Sequence, residues 1–342
     1  MIRLLRFSIV ASAVLLLTPA GPHARSAASR DGSVSAVESV TIVVDDMDRS
    51  LRFFVEVLGF QEVQETEVAG SEYERLYGVF GLRARIVRLK LGDELLDLMD
   101  FLASEGRSIP PDVRSNDLSF QHVALIVSDM DRAYARLRAN NVRHVSAGPQ
   151  RLPDWNRNAG GIEAFYFKDP DGHVLEILEF PPGKGAAKWQ RKDQLFLGID
   201  HTAIVVDDTA TSMRFYKDGL GLEIAGESEN YGIEQERLNG VFGARLKITA
   251  LRASAGPGIE FLDYLAPSDG RPAPPDLRSN DLLAWQTRVV SERVRNTLDR
   301  LLPRTFGFLS PGTIAVPAPG IGFNKGVLVK DPDGHRVMLV EQ

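Results

Sequence analysis

The 342-residue sequence contains no cysteine. That excludes disulfides, thiolate nucleophiles, thiolate metal ligands and a lipoprotein anchor. It also lacks basic runs, and Lys plus Arg number 40 against 46 Asp plus Glu, for a net charge of −6. Nucleic acid and anionic membrane are therefore excluded as main partners. No phosphate loop, nucleophile elbow or catalytic-triad spacing occurs. Histidine is scarce, with six in the chain, so each one can be weighed individually.

Apolar runs long enough to cross a bilayer comfortably are missing too. The nearest is Phe7–Leu17, preceded by Arg3 and Arg6 and followed by Pro and small residues. This is the layout of a secretory signal. Residues 1–28 are expected to be a signal peptide, cut between Ala20 and Ala28, and His23 belongs to it. The mature protein is then periplasmic or secreted, without membrane attachment after cleavage. Hydrophobic content of 44% and charged content of 25% provide for a globular core.

What the chain does have is repetition. "TIVVDDMDRSLRFFVEVLGFQ" from Thr41 matches "AIVVDDTATSMRFYKDGLGLE" from Ala203, an offset of 162. "KDPDGH" recurs from Lys168 to Lys330 at the same offset, and "PPDVRSNDL" to "PPDLRSNDL" at 164. Each half repeats again, because "HVALIVSDMDRAYARLRANNV" from His122 follows the plan of the segment from Ser39. An alternating apolar strand, an acidic N-cap and a helix follow one another, with Gly59 and Gly221 at the helix C-cap. Four β-α-β-β-β modules are predicted, over 36–104, 117–182, 197–266 and 281–342. They make an α+β fold. The halves run over 36–182 and 197–342, joined by a linker at 183–196.

The "DPDGHxLE" turn and the "(I/V)V.D…FY…LG" strand-helix unit resemble the vicinal oxygen chelate superfamily. That superfamily includes glyoxalase I, bleomycin- and fosfomycin-resistance proteins and extradiol dioxygenases. The resemblance implies curved mixed sheets with outer helices, and paired modules curled into a cup around one divalent metal. Each module offers a ligand from its first strand and one from its last. Those positions are Ser39 and Asp97, His122 and Glu176, His201 and Glu260, and Trp285 and Met338. If the two middle modules share a cup, His122, Glu176, His201 and Glu260 form a mixed nitrogen and oxygen set that suits Zn, Ni, Co, Mn or Fe. The outer modules then share a cup filled by Trp285 and Met338. The alternative pairs neighbours, modules one with two and three with four. Economy favours the first, since it alone gathers all four ligands and buried His and Glu without partners are costly.

His173 and His335 follow "DPDG" in both halves and are read as turn structure. Trp155, Asn156 and Asn158, in a polar loop, are candidate substrate-lining residues. So are Tyr73 and Tyr231, taken to precede the "RL.GVFG" segments as strands. The resemblance implies an exported metal-dependent enzyme acting on a small substrate with vicinal oxygens. Lyase, isomerase and dioxygenase chemistry are all open, with Glu176 or Glu260 as general base. The alternatives are a non-catalytic binding protein of the bleomycin-resistance type, and a structural relic.

Overall fold

The computed structural model describes residues 32–302, 307–317 and 321–342. The expected signal peptide and His23 lie outside the described residues. Among the described residues no helix is long and apolar enough to cross a membrane.

The first module contains β1 (Val34–Val44), α1 (Met47–Leu51), β2 (Gln61–Ala69), α2 (Ser71–Tyr77), β3 (Arg83–Leu91) and β4 (Glu94–Phe101). The second contains β5 (Gln121–Val127), α3 (Met130–Ala139), the short β6 (Arg143–His144) and β7 (Gln150–Arg151), then β8 (Glu163–Lys168) and β9 (Val174–Glu179). The third contains β10 (Phe196–Val206), α4 (Thr209–Met213), β11 (Glu223–Tyr231), α5 (Ile233–Asn239), β12 (Arg245–Arg252) and β13 (Gly258–Ala266). The fourth contains β14 (Gln286–Ser291), α6 (Val294–Leu301), β15 (Gly307–Phe308), β16 (Ile314–Ala315), β17 (Lys325–Lys330) and β18 (Arg336–Glu341). The acidic N-caps do cap, because Asp46, Asp129 and Asp208 each accept from the backbone N–H three residues on. Gly59 and Gly221 end their helical segments at φ of 80° and 84°, where a side chain would be strained.

The four modules form an α+β fold of two curled mixed sheets. One runs β15-β17-β18-β14-β1-β4-β3-β2, with β16 on β17. The other runs β11-β12-β13-β10-β5-β9-β8-β6, with β7 on β8. Modules one and four therefore share the first sheet, and modules two and three the second. The seams are the antiparallel pairs β1–β14 and β10–β5. Period-two alternation sends Val40, Ile42 and Val44 of β1, with Val123, Leu125 and Val127 of β5, into one core between the sheet backs. The opposite faces line two cups.

The two halves are also laced together reciprocally. Arg107 grips Asp281 and Asp276, while Arg271 grips Asp117 and Asp112. Leu282 N–H donates to the Arg107 carbonyl and Leu118 N–H to that of Arg271, at 2.9 and 2.8 Å. The "DPDGH" turns add a second tie. His173 Nε2 lies 2.8 Å from the Leu282 carbonyl, and His335 Nε2 lies 2.7 Å from that of Val205. Backbone approaches here are so close that a methyl group at Gly106 would lie 1.7 Å from the Asn280 oxygen. Gly106→Ala is expected to cost at least roughly 1–3 kcal/mol through forced backbone displacement. A urea midpoint that falls with an unchanged slope would register it.

Candidate metal centre and cavity

Strand β10 turns His201, Ala203 and Val205 toward the inner cup, and β5 turns His122 and Ala124 the same way. Across the seam His201 stands opposite Ala124, and Ala203 opposite His122. Glu176 lies beside Ala124 on β9, and Glu260 beside Ala203 on β13. The four residues thus come from two modules and meet in one cup. The imidazole centres of His122 and His201 are 5.7 Å apart. His122 Nε2 lies 3.2 Å from Glu176 Oε2, and His201 Nε2 lies 3.7 Å from Glu176 Oε2 and from Glu260 Oε1. His122, Glu176 and His201 each offer a donor atom within 4.8 Å of the others; Glu260 stands to one side of that trio.

Burial shapes the electrostatics. It disfavours a charged His201 ring, but Glu260, Asp200 and Glu176 outweigh it and raise the pKa to about 9. Burial likewise raises Glu260, with His201 opposing. Asp200 accepts from His201 Nδ1 at 3.0 Å and is itself held by Trp189 Nε1 at 3.0 Å and Arg252 at 2.9 Å. His201 and Arg252 hold the Asp200 carboxyl far below its usual range despite its burial. Asp200 therefore fixes the ring and leaves Nε2 facing the cluster. Sequence reading missed Asp200, since nothing in the spacing marks it. His122, 1% exposed, makes no hydrogen bond through either ring nitrogen. An orphaned imidazole beside a carboxylate and a second imidazole fits a divalent cation, whose ligand atoms at ~2.1 Å would lie roughly 3–3.5 Å apart.

The inner cup holds a cavity of about 280 Å³, lined by Glu176, His201, Glu260, Tyr166 and apolar residues including Leu152, Ile162 and Ile248. Asn158 lines it as well. Asn156 does not, but its side chain donates to Asn230 Oδ1, 2.7 Å away on the cavity wall. Trp155 and Tyr231 are half-exposed outside the lining and stack at 4.4 Å. Tyr73 is buried in the other cup. The "RL.GVFG" segments are not strands: their Arg and Leu lie in α2 and α5, followed by turns. Tyr73 therefore belongs to a helix, and its counterpart at the 162 offset is Gln235 rather than Tyr231.

The outer cup is closed. Arg88 clamps Asp97 at 2.8 and 3.1 Å, Ser39 donates to Asp97 at 2.8 Å, and Arg288 reaches it at 3.2 Å. Arg288 also pairs with Glu38 at 3.1 Å. The space left beside them is about 10 Å³. Strand register makes Arg288 the counterpart of Ala124, and Arg88 that of Ala250. Two guanidinium groups thus stand where the inner cup has two methyl groups. Met338 occupies the place of Glu176, as expected, but Trp285 does not occupy that of His122. Gln286 does, opposite Thr41 as His122 is opposite Ala203. Trp285 packs instead into the core, edge-on to His173 at 5.2 Å. The linker offset of 164 carried this correction, since it moves His122 onto Gln286.

The sequence profile of the Glyoxalase/Bleomycin resistance protein/Dioxygenase superfamily matches residues 36–177 and 198–339. The chain belongs to that superfamily. It is 32% identical over 152 residues to a 2-epi-5-epi-valiolone epimerase of Actinomyces sp, covering 43% of this chain and 81% of the epimerase. It is 22% identical over 300 residues to a lactoylglutathione lyase of Arabidopsis thaliana, covering 87% and 88% of the two chains. The crystal structure of glyoxalase I from Zea mays superposes with a TM-score of 0.57 at 14% identity, covering 90% of this chain and 92% of the maize protein. At that identity the superposition speaks to the fold alone. A superfamily whose description spans glyoxalase, bleomycin resistance protein and dioxygenase leaves the reaction to be argued from the site.

Proposed function

We propose that this glyoxalase-superfamily chain is a divalent-metal-dependent enzyme that moves a proton on a carbon next to a carbonyl, as an epimerase, isomerase or lyase does. The observation that carries the reading is the convergence of His122, Glu176 and His201, with the His122 ring nitrogens buried and unbonded. These three residues would hold the ion, which suits Zn, Ni, Co, Mn or Fe. A divalent ion there supplies Lewis acidity at a substrate oxygen. Glu260 is the general base. It lies in the same cavity, stands aside from the trio, and has its proton affinity raised by burial. Asp200 holds His201 in place for both roles. Similarity to an epimerase and to lactoylglutathione lyases supports proton transfer over oxygen chemistry. The apolar run Phe7–Leu17 behind Arg3 and Arg6, read as a secretory signal, supports an exported site of action.

Elemental analysis tests the metal. Wild-type protein is expected to hold about one divalent ion per chain after loading and dialysis, and His122→Ala to lose it. Wild-type protein that retains none would sink the reading. The apolar share of the cavity lining favours, as a second reading, a binding protein without turnover. It predicts a metal-loaded chain that exchanges no substrate proton with deuterated solvent.

A further inference from the structure

The inner cavity has a second polar wall, on α5 and the end of β11, that the His and Glu cluster does not use. Gln235 and Asn230 line the cavity at 3% and 5% exposure. Gln235 Nε2 donates to Asn239 Oδ1, and Asn239 Nδ2 donates to the Tyr264 hydroxyl. The chain of bonds ends on the Tyr264 hydroxyl. Gln235 Oε1 is buried and has no partner. An unmet buried acceptor is costly unless something donates to it.

The outer cup shows that the fold does not require this wall. At the same positions it carries Tyr73, Tyr77 and Phe101, packed as ordinary apolar core. Two amides and a phenol stand in the place of three aromatic residues only where the cavity is open. Charge in the lining is equally one-sided. Glu176, Asp200, Glu227 and Glu260 line the cavity, and among the described lining residues there is no lysine or arginine. Nearby cations are already engaged, Arg252 with Asp200 and Lys184 with the carbonyl groups of Arg157, Asn158 and Gly160. An anionic substituent would meet no lysine or arginine in the lining, only the His201 ring and the proposed ion among four carboxyl groups.

We infer that Gln235, backed by Asn239 and Tyr264, binds a hydroxyl group of the substrate, and that the substrate is an uncharged hydroxyketone rather than a carboxylate- or phosphate-bearing conjugate. The inference rests on the proposed proton-transfer reading of the same cavity. Gln235 Oε1 accepts from the hydroxyl, while the carbonyl end lies at the His and Glu cluster.

Calorimetry on metal-loaded and metal-free protein tests it, with erythrulose, dihydroxyacetone phosphate and the glutathione–methylglyoxal hemithioacetal as probes. Erythrulose is expected to bind more tightly than either anionic probe. Gln235→Leu is expected to weaken erythrulose about tenfold, as the loss of one hydrogen bond does, with metal content unchanged. Should that variant fold poorly, Gln235→Tyr places there the side chain that the outer cup carries at this position, with the same expected loss. Tighter binding of either anionic probe, no erythrulose binding, or indifference to Gln235 overturns the inference. Failure to take up metal shows separately, in the elemental analysis, and defeats the metal reading instead.

Discussion

Glu260→Gln is expected to leave bound metal in place and to slow substrate proton exchange roughly 10²–10⁴-fold, the usual contribution of a positioned base. Glutamine keeps the shape but cannot take a proton at the reacting carbon. The distinction from Glu176 is geometric. Glu176 Oε2 faces both imidazoles at 3.2 and 3.7 Å, whereas Glu260 Oε1 approaches only His201, at 3.7 Å. Deuterium wash-in at the carbon beside the carbonyl, followed by NMR, measures the step. Exchange at the wild-type rate in Glu260→Gln would remove Glu260 from the chemistry.

The closed cup carries the other large effect. Asp97→Ala is expected to destabilise the fold by about 3–5 kcal/mol, because it leaves the buried Arg288 and the partly buried Arg88 with one carboxylate between them. Arg288 is 3% exposed, and without Asp97 it shares Glu38 with Arg88. The pH dependence has a definite sign. Burial alone would raise the Asp97 pKa, but Arg288, Arg88 and Ser39 outweigh it and hold the value below the usual range. Its contribution is therefore complete above the unfolded-state pKa of ~3.9 and is lost as pH falls through the folded value. The gap between wild type and variant in urea melts is expected to narrow in acid. A gap that widened in acid would contradict the assignment.

The fold was legible in the sequence because its signals are local and repeated. Alternating apolar strands, Asp caps and "DPDGH" turns each act within a few residues, and the offsets of 162 and 164 multiply them. His122, Glu176, His201 and Glu260 could be named because they recur at matching points of that repeat. The polar wall was legible only by position, not by likeness of side chain. Tyr73 was compared with Tyr231, its chemical likeness, when its positional partner is Gln235 in "QERLNG" against "YERLYG". The arginines of the closed cup were missed for a related reason. Arg88 and Arg288 replace alanines, and alanine at a facing position carries no chemical signal of its own. Asp200 acts through its neighbour's ring, which no periodicity records.

The crossing of the modules has a consequence for how the two cups came to differ. Each sheet is stitched at β1–β14 or β10–β5 from one quarter of each half. A first half severed from the second would have both seam edges bare, and a second copy of itself would be the natural cover. In such an assembly of identical chains every substitution would strike both cups alike. Covalent fusion through residues 183–196 breaks that equivalence. It lets one cup carry a pair of arginines while the other carries the His and Glu cluster.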